Sequence, residues 1–212
     1  GMDSLGLVRR GANVTGLDFS PSAVTAALGL AKETGLKAKF VEGDIYDAPK
    51  LIKKKFDLVY TTWGTITWLP DIKKWSAVVA KMLKPGGRLY LADGHPTMLI
   101  MEEEEGRLVH KFPWRTDPDT PLYFDEEITY TGDALPKDGS ASYDWAHPLS
   151  SIIGGLLENG LRLDFLHEHE TVAWPYVTLM VTDPDEPRMF RLPENLPQLP
   201  LSFSIGATRA LS

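Results

Sequence analysis

Cysteine is absent from this chain, which removes disulfides, thiolate metal sites and cysteine nucleophiles together. Long apolar runs are also missing. Nothing approaches the ~18–20 residues that span a bilayer, and no charged n-region with an apolar core opens the chain. A cytoplasmic protein away from membranes is the expectation. Positive charge is scarce: 22 Lys and Arg stand against 29 Asp and Glu, a net charge of −7. Binding along a nucleic-acid backbone needs clustered basic residues, so small molecules are the expected partners. What is present is ordinary for a globular protein, with 43% hydrophobic and 24% charged residues. A chain of 212 residues suits a single domain, 1–212, with an elaborated cap.

The first half alternates strand and helix. "ANVTGLDF" (12–19) reads as a buried strand, and Ser20-Pro21 supplies a capping hydroxyl and a proline at the first helical position. Val24, Ala27, Leu28 and Ala31 then recur as one helical face that Gly35 ends. "KAKFVEGDIYD" and "FDLVYTTW" (56–63) are further strands; Ile72, Trp75, Val78, Val79, Met82 and Leu83 trace a second helix from Asp71, stopped by "KPGG". "RLYLAD" (88–93) is the next strand. Alternation of this kind implies right-handed crossovers and a mostly parallel, doubly wound α/β sheet. Residues 97 to about 146 break the pattern with "MEEEEG", prolines and aromatics, and two plausible strands, "YFDEEITYTGD" and "SASYDWAHP"; this is read as an antiparallel insertion. A helix from Pro148, the strand "LRLDFLHEHE", a proline-rich stretch and the strand "LSFSIGATRA" complete the chain.

In an open parallel sheet, ligands lie beyond the carboxyl ends of the strands. Asp18 closes one strand, where a carboxylate can accept both ribose hydroxyls. Asp44, inside "EGDIYD", closes the next, where it can take an adenine amino group while Ile45 covers the ring. "TTWGT" sets Thr62 and Trp63 at the mouth of the same crevice. Each aspartate alone reads equally as a helix cap or turn residue; two at successive strand ends answer the two polar ends of one adenosine.

"GANVTGLDFSPSAVTAA", "AKFVEGDIYD", "FDLVYTTWGTITWLPD" and "LKPGGRLYLADGHP" together resemble the class I S-adenosylmethionine-dependent methyltransferases, in that family's order, over about residues 3–96. The resemblance implies a Rossmann-like sheet and S-adenosylmethionine as cofactor. It implies Asp18 on the ribose, Phe19 near the adenine, and Gly43, Asp44 and Ile45 around the base. Thr62 and Trp63 would lie near the methionine part, and an aromatic face attracts a sulfonium by ~0.5–2 kcal/mol. The family opens with a strand and a glycine-rich loop, of which only Gly1-Met2-Asp3-Ser4-Leu5 remains, and Gly1 resembles the scar of a cleaved tag. The expectation is a start placed too far downstream, with the first strand missing and cofactor binding impaired. Closing the gap then requires the flanking strands, another segment or a second copy in a homodimer.

The implied reaction is displacement of methyl from sulfonium to a small-molecule acceptor, which asks for positioning more than for a fixed triad. His95 and His147 are the candidate bases where the acceptor must lose a proton, each with a capping role as its alternative. Tyr143, Trp145 and Tyr176 are the candidate acceptor contacts. Two other readings stand beside this one: a catalytically silent binding or regulatory protein of the same fold, and a nicotinamide-dependent oxidoreductase using Asp18 on the NAD ribose. "HEHE" (167–170) offers two histidines but no third metal ligand. "YDAPK" (46–50) has dehydrogenase spacing but holds Pro49 where that dyad needs a helix.

Overall fold

A computed structural model describes residues 1–125 and 141–211. The chain divides into two compact units, Gly1–Lys55 and Phe56–Ser212.

The first unit holds α1 (Met2–Arg9), β1 (Thr15–Asp18), α2 (Pro21–Thr34), β2 (Lys39–Glu42) and α3 (Ala48–Leu51). Ser20 Oγ accepts from Ala23 N at 3.2 Å and Gly35 ends α2 at φ +68°, so the helix stops and starts where its capping residues stand. β1 and β2 pair in parallel, with Asp18 opposite Glu42. Of the expected α2 face, Ala27 and Ala31 are buried, whereas Leu28 is half exposed.

The second unit is built on the sheet β3 (Phe56–Thr62), β4 (Leu83–Gly94), β13 (Ser202–Arg209) and β9 (Leu161–His169), in the order β3-β4-β13-β9. β3 and β4 are parallel, while β13 runs antiparallel to both of its neighbours. α4 (Ile72–Met82) and α6 (Leu149–Glu158) pack on it. Trp75, Leu83, Leu89, Leu91, Ile152, Leu156, Phe203 and Ile205 form its buried interior. A Cβ at Gly155 would come within 2.7 Å of Ser76 Oγ, so glycine is what lets α6 lie close on α4. The "KPGG" stretch falls inside β4, with a register shift opposite Phe56–Leu58, so the strand begins earlier than Arg88.

The insertion does carry antiparallel hairpins. β7 (Leu122–Asp125) pairs with β8 (Ala141–Asp144), as expected in kind; residues 126–140 of the two expected strands lie outside the described residues. β5 (Met101–Glu104) and β6 (Arg107–His110) form a second hairpin across the acidic run, turning at Glu105 and Gly106 with φ +50° and +73°. After the four-residue helix α5 (Pro96–Leu99), a small sheet β10 (Thr171–Val172), β12 (Phe190–Arg191) and β11 (Val181–Thr182) covers a satellite core of Met98, Val172, Met180, Leu192 and Leu201. Among the described strands, β1 and β3 each have a partner on one side only.

Candidate functional site

The β1–β2 register sets the adenosine candidates of the first unit side by side. Asp18 ends β1, Gly43 N donates to Asp18 O at 2.9 Å, and Asp44 follows directly. Asp18, Phe19, Gly43, Asp44 and Ile45 therefore come together at the carboxyl end of one strand pair. Both carboxylates also cap turns: Asp18 Oδ1 accepts from Ser20 N at 2.9 Å, and Asp44 Oδ1 from Tyr46 N at 2.7 Å. The two aspartates are exposed, and Phe19 is 69% exposed, an apolar ring held in water beside the ribose candidate. A Cβ at Gly43 would lie 2.2 Å from Leu51 Cδ1, so a side chain there would have to displace the end of Leu51.

In the second unit, Thr62 ends β3 and Trp63 begins the loop after it. Trp63 adopts φ +34°, a region that side chains other than glycine seldom enter. Its N–H donates to Ala92 O at 3.1 Å, and Thr65 Oγ1 donates to Thr62 O at 2.7 Å. The loop is fixed chiefly by Asp93. Its Oδ1 accepts from Gly64 N at 2.6 Å and Gly94 N at 2.8 Å; its Oδ2 accepts from Thr65 N and Ile66 N, both at 3.1 Å. Burial pushes the Asp93 carboxyl above the usual range, with the four N–H donors pulling the other way. Sequence reasoning read Asp93 only as the end of a strand. Its signal was an acid beside Gly94, facing a loop with N–H groups to satisfy.

His95 is 4% exposed and fully engaged: Nδ1 accepts from Thr97 N at 3.1 Å and Nε2 meets Glu168 Oε1 at 3.0 Å. His147 Nε2 donates to Leu69 O at 2.6 Å. Burial holds both imidazoles below their ordinary value, against the opposing pull of Glu168 on His95 and of Leu69 O and Asp71 on His147. The acceptor candidates separate. Tyr143 is half exposed and meets Tyr123 with the rings tilted, centroids 5.6 Å apart; Trp145 donates its indole N–H to Pro118 O at 2.9 Å. Tyr176 alone reaches the end of β4, where its hydroxyl occupies the space a Cβ of Gly94 would need, 1.7 Å from that position. Trp174 bridges Tyr176 and Trp63, with ring centroids 5.1 and 5.7 Å away. His169 Nε2 pairs with Ser204 Oγ at 3.0 Å, and no group of three metal-ligating residues occurs among the described residues. No described helix is long and apolar enough to cross a membrane.

Carboxylates at a parallel strand end in the first unit, and a pinned loop after β3 in the second, are each features of the kind that nucleotide-binding α/β proteins carry. Residues 1–87 match the methyltransferase domain family. Over 92 residues the chain is 29% identical to the ubiquinone biosynthesis O-methyltransferase of Erwinia tasmaniensis, covering 43% of this chain and 37% of that protein. Over 96 residues it is 36% identical to an uncharacterized methyltransferase of Synechocystis sp., covering 45% and 43%. The chain thus spans about two-fifths of the length of the curated relatives it matches. Its fold is shared with a solved S-adenosylmethionine-dependent methyltransferase from Methanosarcina mazei, at TM-score 0.60 and 19% identity over 99% of this chain and 87% of the other. The match to the methyltransferase domain family thus covers the first 87 residues, and the fold is that of solved S-adenosylmethionine-dependent methyltransferases.

Proposed function

We propose that this chain transfers a methyl group from S-adenosylmethionine to a small-molecule acceptor, working as one methyltransferase-like domain over 1–212 with a cap at about 97–146. The carbon–sulfur bond breaks, its electron pair stays on sulfur as S-adenosylhomocysteine, and an acceptor lone pair forms the new bond to carbon. The observation that carries the reading is the β1–β2 register, which sets Asp18 and Asp44 at neighbouring strand ends. Asp18 takes the ribose and Phe19 lies by the adenine, with Gly43, Asp44 and Ile45 framing the base. Thr62 and Trp63 take the sulfonium end. Tyr143, Trp145 and Tyr176 belong to the acceptor side. Because both nitrogens of His95 are engaged, its part in this reading is to hold structure unless Glu168 lets go. The reading leaves nucleic acid aside and takes the cytoplasm as the protein's compartment.

The second reading is a catalytically silent binding protein of the same fold, which the turn-capping bonds of Asp18 and Asp44 would equally serve. Calorimetry with S-adenosylmethionine, S-adenosylhomocysteine and NAD tests all of this. Hydrogen bonds to a charged group are worth ~1.5–3 kcal/mol, so Asp18→Ala and Asp44→Ala should each weaken S-adenosylhomocysteine about tenfold or more. Preferential binding of NAD, or indifference to both substitutions, overturns the proposal. Cofactor binding without methyl transfer to any acceptor selects the silent protein.

A further inference from the structure

Tyr176 presents an unresolved polar group. Its hydroxyl is buried and has no hydrogen-bond partner among the described residues, although buried polar atoms are almost always paired. The phenol is held at the end of β4 by the missing side chain of Gly94. Trp174, edge-on to Trp63, shares this corner, and both indoles keep part of their surface in solvent. Burial, with the nearby carboxylates of Asp93 and Asp144 added to it, pushes the phenol well above its ordinary value, so it stays neutral. Asp93 spends both oxygens on backbone N–H groups and acts through its field.

A phenol oxygen, two indole faces and a negative field are what an organic ammonium needs. They repel a carboxylate or phosphate ester. A hydroxyl acceptor would need a base beside it to take its proton, and the neighbouring His95 has neither nitrogen to spare. A bound ammonium first gives one proton to water, and the neutral amine so formed attacks with its own lone pair. Positive charge then develops on nitrogen as the carbon–nitrogen bond forms and the carbon–sulfur pair returns to sulfur, and the surplus proton leaves to water afterwards. A site that favours the cation stabilises that transition state.

Resting on the methyl-transfer reading above, we propose that the acceptor is a small organic amine, received at the end of β4 by the Tyr176 hydroxyl and the Trp63 and Trp174 rings in the field of Asp144. Gly94 is the positioning residue that admits the phenol.

The test titrates the full chain with benzylamine, benzyl alcohol and benzoate, followed by tryptophan fluorescence and calorimetry, with and without S-adenosylhomocysteine. Benzylamine should bind at least tenfold tighter than benzoate. Tyr176→Phe and Asp144→Asn should each weaken benzylamine about tenfold, and the melting temperature of Tyr176→Phe should hold or rise because an orphan hydroxyl is removed. Gly94→Ala should lower the melting temperature beside Tyr176 and much less in the Tyr176→Phe background. Benzoate binding as well as benzylamine, or unchanged benzylamine affinity in both variants, overturns the proposal. Benzylamine binding without S-adenosylhomocysteine binding leaves the amine site standing and removes the methyl-transfer reading; the reverse result removes the amine site alone.

Discussion

Replacing Asp93 should unlock the loop that carries Trp63. Each carboxylate oxygen accepts two backbone N–H groups, at 2.6 and 2.8 Å on Oδ1 and at 3.1 Å twice on Oδ2. Alanine strands four donors. A buried unsatisfied donor costs ~1–3 kcal/mol, but Gly64 and Thr65 are half-buried and can turn to water. Counting the remaining two in full, and crediting relief of a buried acid, gives a loss of about 1–5 kcal/mol. Asparagine retains one acceptor oxygen and turns an NH2 group on the other pair, so it should lose about half as much. Urea unfolding at pH 7 measures both, with near-ultraviolet dichroism reporting the Trp63–Trp174 contact. An alanine variant within ~1 kcal/mol of the parent, with that dichroism intact, would refute the claim that Asp93 pins the loop.

Acid should weaken the fold below neutrality. Burial depresses His95 and His147, so the unfolded chain takes up protons first. Stability is complete above the unfolded value of about 6.5 and falls as pH drops through it toward the folded values. Melting temperatures from pH 8 to pH 5 would show a decline, smaller in a His95→Gln variant. Gly206→Ala should cost ~1–3 kcal/mol, because the new Cβ would sit 2.1 Å from Phe165 Cε1; a Phe165→Leu background should recover part of it in urea melts.

Much of this molecule is readable from local chemistry. Ser20-Pro21 and Gly35 announce both ends of α2, and Asp71 opens α4 by accepting from Lys74 N at 2.9 Å. The adenosine candidates were legible because strand ends converge in a parallel pair. The hairpin across "MEEEEG" was hidden: four acids in a row show no alternation, and its turn uses Glu105 at positive φ where asparagine or aspartate would have signalled it. The sheet of β10, β11 and β12 was hidden by its two-residue strands among prolines. Asp93 and Tyr176 depend on contacts far apart in sequence, which no periodicity records.

β13 lies between β4 and β9 with Ser202 through Ala207 buried. During synthesis, β4 leaves the ribosome long before the strand that will flank it. One border of β4 and the strand partner of β9 must therefore stay open until β13 emerges. The second unit cannot mature piecemeal from its leading end. Its assembly is gated by β13, and a nascent chain stalled before Ser202 should draw chaperones rather than settle.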